Sequence, residues 1–165
     1  MAGSACAEPR RERIGGILHC GRLTRIGVMH VPDRPGVAAE VFGTLGERGI
    51  NTPFIVQSIE LQGFTNIIIC VSSSDADAAL AALQGLQPTL NAAAYTQETG
   101  MALVSIFGPD FRERPGIAGI AFGALAKKKI NILAISTSIS TISCLLRHED
   151  LAGARQALED AFALP

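Results

Sequence analysis

The sequence predicts an α+β protein built from two copies of one βαββαβ unit, and three observations carry that expectation. The segment RPGVAAEVFGTLGERGIN at 34–51 returns as RPGIAGIAFGALAKKKIN at 114–131, a constant offset of 80 residues. The stretches flanking the two copies repeat the same order of strand-like and helix-like patterns. The chain has one Tyr and no Trp among 165 residues, with 48% hydrophobic residues, so Ile, Leu, Val and Ala must fill its core.

In the first copy, residues 25–31 form a short β-branched run. Asp33-Arg34-Pro35-Gly36 follows, with Asp33 positioned to cap a helix. Val37, Val41, Phe42 and Leu45 recur at helical spacing and give one apolar face, Glu40, Glu47 and Arg48 fall on the solvent side, and Gly49 stops the helix. Residues 51–61 and 65–71 read as a hairpin turning at Gln62-Gly63, its second strand carrying the unbroken run Ile67-Ile68-Ile69-Cys70-Val71. Asp75 then caps a helix with Leu80, Leu83 and Leu86 three apart, and residues 91–96 supply a last strand after Pro88.

The second copy repeats the plan: a strand at 102–108, a helix at 115–128 closed by Lys127-Lys128-Lys129, strands at 131–138 and 142–146, and a helix at 150–162. It runs out of sequence before a sixth strand. Residues 14–20 form a spare apolar segment, and Ile17-Leu18-His19 is expected to fill the gap. The expected organisation is a disordered tail at 1–13, a strand at 14–22 added to the second unit, a first unit at 23–97 and a second at 98–165. The joint at 97–100 is too short for an independent tether.

Composition narrows the function. The formal net charge is -1 and no basic stripe interleaves with aromatics, so no nucleic-acid partner is expected. Cys6, Cys20, Cys70 and Cys144 lie far apart, with no C-x-x-C and no Cys/His pair at zinc spacing, which points to buried free thiols and no metal. His19, His30 and His148 lack partners at metal or triad spacing, and no catalytic residue is assigned. With no signal-like or membrane-spanning apolar run, a cytoplasmic protein with no membrane partner is expected. So aliphatic a short chain also suggests apolar surface buried between subunits, hence a homodimer.

A tandem of βαββαβ units with Asp33-Arg34-Pro35-Gly36-Val37-Ala38 before one helix, Arg114-Pro115-Gly116-Ile117-Ala118 before the other, and G-I-N or K-I-N after them resembles the ACT-domain family. The runs VPDRPGVAAEVF, INTPFIVQ and INILAISTS are similar to the regulatory region of aspartate kinases, and the similarity covers about residues 14–164. The resemblance implies ferredoxin-like modules that bind an amino-acid effector, lysine or threonine, at an interface between repeats. It also implies feedback control of aspartate-family amino acid biosynthesis. The chain has neither the room nor the glycine-rich phosphate loop for a kinase portion. The resemblance is therefore to the separate regulatory subunit, with an aspartate kinase catalytic subunit as partner and no cofactor. An amino-acid sensor acting on another partner and a ligand-free dimerisation scaffold are the other classes the sequence allows.

The chemistry of such a site can be read from residue types. Pro35 pre-sets a helix's first turn and Gly36 leaves the backbone uncovered, so amides at the helix N-terminus can receive a carboxylate. Asn51, Gln57 and Ser58, on the strand that follows, offer amide and hydroxyl groups to an ammonium and a side chain. With Asp33 and Val37 they form the first candidate effector site. Pro115, Gly116, Ile117, Asn131, Ile132, Thr137 and Ser138 form the second. The Pro-Gly pairs also suit plain turns, and Asn51 and Asn131 also suit satisfying buried backbone groups; the sequence leaves both roles open. Against the aspartate kinase pattern, Pro53 and Ile139 stand at commonly acidic positions, Ser58 at a usual Asn, Asp110 at a usual Gly, and Glu113 at a usual small polar cap.

Overall fold

The computed structural model describes residues 11–109 and 111–165. Cys6, Asp110 and residues 1–10 of the expected tail lie outside them. The elements run β1 (Glu12–Arg13), β2 (Gly16–Pro32), α1 (Val37–Glu47), β3 (Phe54–Ile59), β4 (Phe64–Ser72), α2 (Ala76–Gln84), α3 (Gln87–Leu90), β5 (Ala94–Phe107), α4 (Ile117–Lys127), β6 (Ala134–Thr137), β7 (Thr141–Arg147), α5 (Leu151–Ala161) and β8 (Phe162–Ala163).

The spare segment near the N-terminus and the first strand of the first unit are one continuous strand, β2, of 17 residues. Continuity survives the Gly21-Arg22 step because that step is a bulge: Cys20 pairs with Leu103 and Leu23 with Met101, so β2 carries one residue more than β5 there. Arg22 takes φ 56° to make it. β5 compensates one pair later, where Leu23–Arg25 faces Met101–Glu98 and Gly100 adopts φ 73°. Residues 97–100, read as a joint, are thus the middle of a strand.

One sheet results, ordered β3-β4-β2-β5-β7-β6. Its first half combines β3 and β4 with the C-terminal part of β2 and the N-terminal part of β5. Its second half combines β6 and β7 with the remaining parts of the same two strands. Each half has the strand order of a ferredoxin-like βαββαβ module, and the N-terminal strand completes the second: Ile17 pairs with Ile106, Leu18 with Ser105 and His19 with Val104.

Strand alternation sorts the side chains into three cores. Ile26, Val28, Ile67, Ile69 and Val71 meet Val37, Val41 and Leu45 of α1 and Ala79 and Leu83 of α2. Phe42, placed on the same apolar stripe by the sequence, is only partly buried at its margin. Ala102, Val104, Ile106, Cys144 and Leu146 meet Ile117, Ala121 and Leu125 of α4 and Ala154, Ala157 and Leu158 of α5. The alternate residues Leu23, Cys70, Met101, Leu103 and Leu145 face away from the helices and form a third core with Phe54. The edge strands β3 and β6, at opposite ends of the sheet order, approach each other beside it.

Several local expectations are corrected. Asp33 does not cap α1: the helix begins at Val37 with Gly36 as its N-cap residue and no side-chain cap hydrogen bond, while the Asp33 N–H donates to the Gly63 carbonyl at 2.9 Å. Asp75 is the N-cap residue of α2 but likewise makes no side-chain cap bond. Gly49 terminates α1 as expected, with φ 69°. The short α3 was not foreseen, because Pro88 reads as a breaker although it is tolerated in a helix's first turn. The expected tail stops short of residue 13, since Glu12 and Arg13 pair in parallel with Phe162 and Ala163. Cys70 and Cys144 are buried free thiols, whereas Cys20 is exposed beside the β2 bulge. Among the described residues no helix is long and apolar enough to cross a membrane and no cluster of His, Cys, Asp or Glu is arranged to hold a metal.

Candidate functional site

The two helix entries have the same backbone. Gly36 adopts φ 100° and ψ -16°, Gly116 φ 98° and ψ -14°, a left-handed conformation that suits glycine and turns the chain sharply into α1 and α4. The first intrahelical bonds match as well: Glu40 N–H to Gly36 O at 2.9 Å, and Ile120 N–H to Gly116 O at 3.0 Å. The N–H groups of the first turn precede the intrahelical ladder and, with the helix dipole, favour an anion at each entry.

The side chains around these entries differ. At α4, the expected Pro115, Gly116, Ile117, Thr137 and Ser138 line one open cavity of about 230 Å³, together with Phe111, Arg112, Arg114, Ala118 and Ile142. The first turn of α4, two hydroxyl-bearing residues at the end of β6 and two arginines therefore line a space sized for a small metabolite. Asn131 and Ile132 stand apart from this group: Asn131 is exposed, and Ile132 packs against the second module's core. Glu113 is exposed and pairs with Arg112 at 3.5 Å. Ile139 is 66% exposed on the β6–β7 turn.

At α1, Arg34 folds back across the helix entry. Its Nη2 lies 2.8 Å from Glu40 Oε1 and donates to the Thr89 carbonyl at 3.1 Å. Its Nη1 is 3.7 Å from where a side chain on Gly36 would begin. Gln57 donates to Thr65 Oγ1, which donates to the Ser58 carbonyl, both at 3.1 Å, so the Gln57 amide is engaged within its own hairpin. Asp33, Pro35, Asn51 and Ser58 are exposed and Val37 is buried in the first core. The structure gathers five of the seven second-copy residues into one cavity. At the first copy, the Pro35-Gly36 entry lies beside the Arg34–Glu40 ion pair, and Gln57 is engaged within its own hairpin.

Arg112, Arg114, Phe111, Ala118 and Ile142 were missed by the sequence reading. For Arg114 a signal was available: it is the repeat mate of Arg34 in the two R-P-G segments. A second, larger groove of about 640 Å³ runs between α4 and α5, past Gly119, Ile120, Gly123 and Ala124. It contains none of the expected site residues.

Two ferredoxin-like modules sharing one sheet, each entering its first helix through a Pro-Gly turn, define a tandem α+β architecture. The chain belongs to the ACT domain family, which matches residues 28–85 and 104–162, one stretch in each module. Over 151 residues it is 34% identical to the aspartate kinase Ask_LysC of Stutzerimonas stutzeri, an alignment covering 92% of this chain and 37% of that protein. The chain thus spans little more than a third of that relative's length. The ligand-free regulatory subunit of aspartate kinase from Thermus thermophilus superposes with a TM-score of 0.83 at 30% identity, covering 92% of this chain and 100% of that one. In a structure of aspartokinase alpha and beta subunits, the matching chain superposes with a TM-score of 0.80 at 31% identity, covering 90% of this chain and 97% of that one. The chain matches the regulatory part of aspartate kinases and, along its length, their separate regulatory subunit.

Proposed function

We propose that this chain is the regulatory subunit of an aspartate kinase, carries no catalytic machinery of its own, and binds a free amino acid in the α4 cavity. The carrying observation is the convergence of Pro115, Gly116, Ile117, Thr137 and Ser138 on one cavity at a helix N-terminus. The effector's carboxylate lies against the first-turn amides of α4, and Thr137 and Ser138 meet its ammonium or side chain. By resemblance the effector is lysine or threonine, and its binding feeds back on aspartate-family amino acid biosynthesis through a catalytic subunit. The working form is a cytoplasmic homodimer assembled through the ACT modules. The first-copy residues Asp33, Pro35, Gly36, Val37, Asn51, Gln57 and Ser58 form the weaker site, because the Arg34–Glu40 ion pair lies beside its helix entry.

The test is a thermal-shift screen of the twenty common amino acids. A ligand present at 100 times its Kd stabilises the folded state by about 2.7 kcal/mol, which is readily seen. Lysine or threonine is expected to raise the melting temperature; if no amino acid does, the reading fails. A response confined to some other amino acid favours a sensor with a different partner, the reading suggested by Pro53, Ser58 and Ile139, and co-purification with or without an aspartate kinase catalytic subunit separates the two.

A further inference from the structure

The repeat-mate arginines make the same kind of bond to different parts of the chain. Arg34 donates to the carbonyl of Thr89, in the segment that leads into β5, the last strand of the first module. Arg114 donates from Nη1 to the carbonyl of Arg13 at 2.7 Å, in the segment that leads into β2, whose first half is the last strand of the second module. Each arginine thus ties a helix entry to the strand that closes its own module. The carboxylate that completes the bond comes from different places. Arg34 finds Glu40 on its own helix. The mate of Glu40 is Ile120, which offers no charge, and Arg114 pairs instead with Glu12 in β1.

Arg114 also stands at a boundary. It lines the α4 cavity with Pro115 and Gly116, and it lines a neighbouring cavity of about 250 Å³ with Arg13, Ile14, Gly15, Pro109 and Pro165. The residue that borders the α4 cavity is therefore also the one whose guanidinium fastens the N-terminal segment. Ile14 is anchored in the second module's core, and before it the other holds on the segment are the two-residue pairing of β1 with β8 and long bonds from Arg11 to the carbonyls of Glu159 and Asp160.

We propose that Arg114 is a specificity and coupling residue of the α4 cavity, shared in competition between Glu12 and the carboxylate of the bound amino acid. The proposal rests on the amino-acid-binding reading above. In the free chain Glu12 occupies the guanidinium. An effector carboxylate draws it toward the cavity, and residues 11–13 loosen from the second module, with Ile14 held in the core. Occupancy of the cavity is thereby reported at the N-terminal segment, and by linkage any partner that holds this segment down weakens effector binding by the same factor. Arg34 cannot act in this way, since its carboxylate partner Glu40 lies on the helix it enters and not on a separable segment.

The experiment uses the full chain, with L-lysine and L-threonine titrated separately by calorimetry and the same samples followed by hydrogen exchange. Glu12→Gln removes the competing charge and leaves Arg114 in place. Given the worth of exposed ion pairs, it should tighten amino-acid binding about two- to fivefold. Arg114→Gln should weaken it. In the parent chain, amino acid should speed exchange over residues 11–13 and leave β4 unchanged. If the parent binds an amino acid but Glu12→Gln binds it equally or less well, or exchange over 11–13 does not change, the coupling is overturned while the binding function stands. If the parent binds neither amino acid, both the coupling and the lysine or threonine assignment fall. A melting curve for each variant confirms that it is folded.

Discussion

Gly36 and Gly116, 80 residues apart, hold left-handed backbones that differ by 2° in both φ and ψ. No side chain or backbone atom lies within 4 Å of where a methyl group on Gly116 would sit. The demand for glycine there comes from the dihedral and not from crowding. Gly116→Ala should therefore cost about 1–2 kcal/mol and lower the melting temperature by several degrees. Calorimetry of the variant checks this, and an unchanged melting temperature would mean the turn relaxes freely.

The helix exits give the opposite sign. Gly49 follows α1 with φ 69°, but its repeat mate Lys129 follows α4 with φ 58° and must hold a side chain in the left-handed region. Lys129→Gly relieves that strain at some cost in unfolded-chain entropy, leaving a net gain of about 0.5–1 kcal/mol. The urea midpoint should rise with no change in slope.

Leu145 is fully buried in the third core, between the two halves of the curled sheet. Leu145→Ala should cost about 2–5 kcal/mol. Because β2 and β5 belong to both modules, the loss should appear as one earlier transition followed equally by probes in either half. Two separated transitions would show that the modules unfold independently.

Burial pushes the Cys70 thiol up to about 12 and the Cys144 thiol up to about 11, from 9.0. The unfolded chain releases these protons first, so the stabilisation is complete below pH 9 and is lost as pH climbs through 11 to 12. Tyr95, also raised by desolvation, adds to the slope at the upper end of that range. Denaturant midpoints should stay level up to about pH 9 and fall as pH rises beyond it. They should fall less steeply in the Cys70→Ala, Cys144→Ala double variant, even though it starts less stable.

Much of this architecture was legible because duplication repeats its own signals. Val37, Val41 and Leu45 stood out by helical spacing and are buried; their mates Ile117, Ala121 and Leu125 are buried too. The gap left by the second copy pointed to Ile17-Leu18-His19, and those residues pair with β5. What stayed hidden has physical reasons. Gly21-Arg22 looks like a chain break because a bulge shifts the strand's alternation by one residue, and only the pairing shows that the strand continues. The third core draws Leu23, Met101 and Leu145 from positions that alternation assigns to the solvent side of a half-buried sheet. Nothing local announces that β3 and β6 meet. At the candidate site, Thr137 and Ser138 were named by residue type and line the α4 cavity, but Arg114 was not named, since its partner Glu12 is 102 residues away.

The pairing of Gly16 with Phe107 has a bearing on how the polypeptide leaves the ribosome. The leading half of β2 belongs to a module whose helices and remaining sheet strands follow far along the chain, so it must wait in solution until β5, whose Phe107 pairs with Gly16, has been translated. Ordering that strand early closes a very long loop before most of the contacts that reward it exist, a situation that slows folding and exposes apolar edges meanwhile. Synthesis and assembly thus run in different orders, and the leading half of β2, made before its partners, is among the last parts of the sheet to find its place.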